Sequence, residues 1–223
     1  MKYLLSAVAF GVVCLSPTFA QPLGTSPVPP VVTPPSGFNI TRILGIATSD
    51  QPAVLTEKIR FQHYWLNTVG PVAIVGEGFG AALGQWRNDP KEWGQGAGAY
   101  GKRIGSNLAY NGIRQTITYA SSAALHEDNR YFVSVEKGTW ARTRYALAST
   151  VVARKPDGHR RFSFSAVSGI AGASILSSTW GPRSWKGPGN IAKDAGISLA
   201  TNAAFNIVRE FLPGMLHRDP SHP

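Results

Sequence analysis

Beyond its first twenty residues the chain has no cysteine, because its single cysteine is Cys14. Disulfides, thiolate nucleophiles and thiolate metal sites are excluded from everything downstream. Acidic charge is scarce: 12 Asp and Glu stand against 22 Lys and Arg, a formal net charge of +10. The H-E-x-x-H pattern is absent because Arg130 stands where its second histidine would be, and G-x-S-x-G occurs nowhere. Neither a zincin helix nor a nucleophile elbow is therefore written in the chain. Repeated ten-residue alternation and a terminal aromatic residue are also missing, which argues against an outer-membrane β-barrel. That fold stays the runner-up, since "RYALASTVVARKPDGHRRFSFS" reads as a hairpin.

What is present begins with a leader. Lys2, the apolar stretch Tyr3–Leu15 and "SPTFA" ending at Ala20 make a Sec-type signal peptide over residues 1–20, with cleavage before Gln21. An uncleaved anchor is the alternative, although the run is short for a bilayer. A lipid anchor through Cys14 fits worse, because "GVV" before it lacks the usual leucine and small residues. Losing Lys2 lowers the net charge to +9. The expected location is the periplasm or an outer-membrane-associated cell envelope. An exported cation meets anionic lipid headgroups or envelope polymers there rather than nucleic acid or nucleotides.

Residues 21–49 are read as a proline-rich disordered tether, with six prolines and no charge over 21–38. A helical domain follows over 50–214, then a flexible tail over 215–223. Periodicity predicts helices starting at Asp50–Pro52, over 71–86, over 101–125, over 139–153, over 166–178, and over 191–212 with a stop at Pro213-Gly214. "RFSFS" after the turn "KPDG" alternates like a short strand.

"VAIVGEGFGAALG" at 72–84 approximates a dinucleotide fingerprint, but no second strand with a terminal acid follows it. It reads instead as one helix with a ladder of Gly76, Gly80 and Gly84. A helix-interior glycine costs about 1 kcal/mol relative to alanine, so such a ladder calls for close helix approach. Similar four-step rows are Gly101, Gly105 and Ala109; Ser165, Gly169, Ala173 and Ser177; and Ala192, Gly196, Ala200 and Ala204. Gly76, Gly80, Gly84, Gly105, Gly169 and Gly196 are the expected packing positions, and a homo-oligomer is a further expectation. Residues 162–182 and 195–208 carry no formal charge, and 63–86 carry only Glu77. Most of the six tryptophans stand at segment ends, as interfacial tryptophans do.

"GAGAYGKR" at 96–103 misses the phosphate-loop pattern, with Arg103 where Ser or Thr belongs. Lys102 and Arg103 in the first turn are nevertheless candidates for binding an anion. "ALHEDNRYF" at 124–132 gathers His126, Glu127 and Asp128, candidates for general acid–base work or, with His63 and Glu77, for metal ligation. Adjacent helical residues point about 100° apart, which disfavours His126 and Glu127 on one ion. The competing reading has these charges marking the end of an apolar helix. Glu77 and Glu210 lie inside otherwise uncharged helices and need partners, for which Arg114 and Arg209 are candidates.

"EWGQG", "YGKR", "ALHED" with Arg130-Tyr131-Phe132, and "VREF" at 208–211 together resemble a group of exported bacterial cell-envelope proteins with no assigned activity. The likeness covers residues 54–212 and implies no function, cofactor or metal. The sequence therefore predicts a mainly α fold, a compact bundle of five or six Gly/Ala-rich helices. Two function classes follow: a non-enzymatic envelope protein packed in or against a membrane, and an exported hydrolase-like or metal-dependent enzyme using His126, Glu127 and Asp128.

Overall fold

Every long element is helical, and the helices meet along small-residue and polar seams. The computed structural model describes residues 46–47 and 55–216. The expected signal peptide, most of the tether, the helix start at Asp50–Pro52 and residues 217–223 lie outside these. Among the described residues are six α-helices: α1 (Glu57–Val69), α2 (Pro71–Arg87), α3 (Ala97–Leu125), α4 (Thr139–Ala148), α5 (Phe164–Trp180) and α6 (Pro188–Leu216). The mainly α bundle is as the sequence predicts. Four short strands accompany it. β1 (Ile46–Ala47) pairs parallel with β2 (Tyr131–Phe132), and β3 (Val152–Arg154) pairs antiparallel with β4 (Arg160–Phe162). Backbone pairing thus reaches upstream of Asp50, into the stretch read as tether.

Helix ends follow local chemistry. Thr56 caps α1, with its hydroxyl accepting from the Ile59 amide at 3.4 Å. Gly70 ends α1 and precedes Pro71, the first residue of α2. A Cβ on Gly70 would strike the Leu66 carbonyl oxygen, so this junction requires glycine. Ser163 caps α5, accepting from the Ala166 amide at 3.1 Å. Two expectations are corrected here. The helix expected over 139–153 ends at Ala148, because the β-branched Val151–Val152 pair passes into β3. The last helix passes through Pro213-Gly214 to Leu216: Pro213 removes one amide donor without ending it.

α3 is the axis. Contacts between Arg60 and Ser122, Tyr64 and Thr116, Asn67 and Asn111, and Glu77 and Asn107 lay α1 and α2 antiparallel along it. Ser121–Ser168, Tyr110–Ser174 and Ser106–Trp180 lay α5 antiparallel along another side. The α3–α5 seam is the tightest. Ser165, Gly169, Ala173 and Ser177 are all buried there. A Cβ on Gly169 would strike the Thr118 hydroxyl and lie 2.9 Å from the Arg114 carbonyl oxygen. On Gly172 it would lie 2.6 Å from Ile117 Cδ1, a packing position the four-step rows omit. In the opening ladder, a Cβ would come within 3.3 Å of Asn107 at Gly80 and 3.0 Å of the Asp89 carbonyl at Gly84, but only 4.0 Å from Phe205 at Gly76. Gly105 and Gly196 do not serve as packing positions, since a Cβ at either would meet nothing within 4 Å. Their rows face outward: Gly105, Ala109, Ala192, Gly196, Ala200 and Ala204 are exposed.

Candidate functional site

The partition of side chains between interior and surface is inverted relative to a water-soluble bundle. Among the described residues, twelve polar or charged residues are buried against eight apolar ones, and five of those eight are alanine. Twenty-two large apolar side chains are exposed. They run along the outer faces of α1 and α2 (Phe61, Trp65, Ile74, Val75, Phe79) and recur on α5 (Ile175, Leu176) and α6 (Ile197, Phe205, Val208). Large contiguous apolar patches are uncommon on monomeric soluble proteins. Among the described residues one stretch, Glu57–Arg87, contains an 18-residue window long and apolar enough, by length and composition, to cross a membrane. α3 and α6, at 29 residues each, extend about 44 Å, comparable to a whole bilayer.

The interior is held by polar knots. Glu127 is 1% exposed and sits against the start of α5. Its Oε2 accepts from the Ser165 amide at 2.9 Å and hydroxyl at 2.5 Å, and from the Ser163 hydroxyl at 3.3 Å. Lys155 Nζ lies 3.5 Å from Oε1. Burial pushes this carboxyl up, but the two Ser165 donations and the Lys155 ammonium together hold it below the usual carboxylate range. Arg60 donates to the Ser122 hydroxyl and to the Glu127 carbonyl, both at 2.9 Å. Glu210, fully buried on α6, accepts from Tyr131 Oη at 2.6 Å, the Ser134 amide at 3.0 Å and Arg142 Nε at 2.7 Å. Burial and the Glu210 hydrogen bond push the Tyr131 phenol well above its ordinary value. At mid-bundle, Arg114 donates to Asn202 at 2.8 Å and to Asn111 at 3.1 Å.

These contacts place each predicted site residue. His126, Glu127 and Asp128 do not converge. His126 is exposed in a left-handed conformation (φ 52°) at the end of α3, Glu127 faces the interior, and Asp128 pairs with Arg130 at 2.7 Å. The left-handed turn sends successive side chains apart, which the helical reading of "ALHED" could not anticipate. Among the described residues no three of His, Cys, Asp and Glu gather, so His63 and Glu77 do not complete a metal set with His126. Arg103 is not open to an anion. It is buried and donates to the carbonyls of Asp89 (2.9 Å), Pro90 (3.1 Å) and Gly94 (3.0 Å) and to the Gln85 side chain. Lys102 is exposed and makes no ion pair among the described residues. Glu210 is buried, but its cation is Arg142 rather than Arg114 or Arg209. Glu77, Arg114 and Arg209 are half-buried, and Glu77 forms no ion pair within the described residues.

Sequence reasoning missed Arg142, Lys155 and Ser163, and it named Ser165 only in a packing row and Tyr131 only in a motif, with no polar role for either. Of the three residues missed outright, only Ser163 had a local signal, as an N-cap residue before an uncharged helix.

One end of the bundle carries a second feature. The α2–α3 and α5–α6 connections meet there, with Trp93 against Trp185 at 5.3 Å between ring centroids. The Ser184 amide donates to Glu92 at 3.2 Å. Trp86, 82% exposed, and Trp180 stand at the same end. Around them the exposed cations Arg87, Lys91, Lys102, Arg183 and Lys186 outnumber the exposed acids Asp89 and Glu92. No family model matches this chain, and neither does any curated protein or solved structure.

Proposed function

We propose that this is a non-enzymatic protein of the cell envelope, a helical bundle seated in a membrane by its apolar flanks and contacting anionic surfaces through its cationic, tryptophan-bearing end. The inverted partition of side chains carries this reading. In water, exposing Phe61, Trp65, Val75 and Phe79 while burying Glu127, Glu210, Asn111 and a row of serines would forfeit the main driving force of folding. In lipid the same arrangement is favourable. Apolar flanks meet acyl chains, small and polar residues join the helices, and every ionisable group inside the bundle needs a partner. Tryptophans and cations at one end match the composition of a membrane–water interface. The leader peptide and proline-rich tether read from the sequence, and the resemblance of "EWGQG" and "ALHED" to exported envelope proteins, support a location in the periplasm or on the outer membrane.

The locked Ser165–Glu127 contact and the exposed His126 give the enzymatic alternative no support. Membrane fractionation tests the proposal. The full-length protein should stay in the pellet through both high salt and alkaline carbonate. Release by salt alone would make it a peripheral cationic protein, and recovery in the soluble fraction would contradict the proposal outright.

A further inference from the structure

We infer that a groove at the tryptophan-bearing end of the bundle holds an acyl chain of an anionic phospholipid, with Lys102 at its headgroup. The inference deepens the membrane reading and rests on it. The groove has a volume of about 410 Å³, and Trp93, Lys102, Gly105, Ser106, Ala109 and Trp180 line it. That size is comparable to small-molecule sites, roughly 300–1,000 Å³, although the groove is a shallow one, open along its outer side. Gly105 and Ala109 lie one helical turn apart on α3. A Cβ at Gly105 would meet nothing within 4 Å, so the glycine keeps the groove open instead of admitting another helix.

The walls are fixed before any ligand arrives. Trp180 Nε1 donates to Ser106 Oγ at 3.1 Å, which turns the indole's one polar atom away from solvent. Trp93 leans on Trp185, and a side chain on Gly181 would collide with the Trp185 ring. The groove therefore offers apolar width together with a single cation. The neighbouring Arg103 is already held by three carbonyls, so charge recognition falls to Lys102. An apolar slot with one lysine at its edge, among cations that outnumber the acids, complements an anionic headgroup carrying an apolar tail.

The test uses full-length protein reconstituted into vesicles of phosphatidylcholine with phosphatidylglycerol. Flotation reports membrane residence, and native mass spectrometry reports retained lipid. Wild type should float and retain phosphatidylglycerol in preference to phosphatidylcholine. Gly105→Leu should float with an undiminished thermal midpoint yet retain about ten-fold less or lower still, since two or more methylenes lose their burial. Lys102→Glu should weaken retention about five-fold or more, and Lys102→Arg should preserve it. If Gly105→Leu fails to fold, the Lys102 pair decides the matter. Equal retention by wild type and Lys102→Glu, no preference between the two lipids, or a retained species of fatty-acid mass would overturn the groove assignment and leave the membrane reading intact. A wild type that does not float would overturn both.

Discussion

Glu127 concentrates what one residue does in this fold. A carboxylate 1% exposed must find donors, and the start of α5 supplies an amide and two hydroxyls where the helix dipole also favours negative charge. Replacing it by glutamine keeps the shape and removes the charge. Glu127→Gln should lower stability by about 1.5–3 kcal/mol in chemical denaturation at neutral pH. The pH dependence has a defined sign. Because the folded carboxyl is held below its unfolded value, its contribution is fully present above about pH 4–5 and is lost as pH falls through the depressed folded value. Wild type should show that acid limb, and the glutamine variant should show a weaker one. The sequence made the "ALHED" charges conspicuous but could not say that Glu127 turns inward while His126 turns out. That split is set by a left-handed residue at the end of α3 and by serines 36 and 38 positions away. Arg142 was hidden for the same reason, since its carboxylate partner is 68 residues distant.

Between elements, the seam of α3 with α5 and the outward row on α6 give opposite meanings to identical glycines. Gly169 has no room, with the Arg114 carbonyl 2.9 Å from where a Cβ would stand, whereas Gly196 has open space. Gly169→Val should therefore cost about 1–3 kcal/mol through overpacking. Gly196→Ala should raise stability by up to about 1 kcal/mol through helix propensity alone. A thermal-shift comparison checks both, and a destabilising alanine at 196 would show that this row meets a partner such as a second copy of the chain. Four-step spacing revealed that some rows pack, because α5 has no charge and one continuous small face. It could not separate inward rows from outward ones, since small residues lack the apolar contrast that marks a buried side. The helices were legible over most of their lengths. The two-residue strands β1 and β2 were not, because parallel pairing across more than eighty residues leaves no local pattern.

For the whole molecule, the governing fact is that polar groups were placed inside and apolar bulk outside. Composition hinted at this through uncharged helices and tryptophans at their ends, but only the three-dimensional arrangement shows which faces are exposed. Val75 is 71% exposed at the middle of the α1–α2 flank and offers the most direct probe. The chain has no cysteine beyond Cys14, so a single spin label can be attached there in a Cys14→Ser background. The label should be placed by Val75→Cys, the protein reconstituted into vesicles, and power saturation measured with oxygen and with a water-soluble nickel chelate. A bundle seated in lipid predicts strong relaxation by oxygen and little by nickel at this position. Strong relaxation by nickel and little by oxygen would put the flank in water and contradict a membrane-seated bundle.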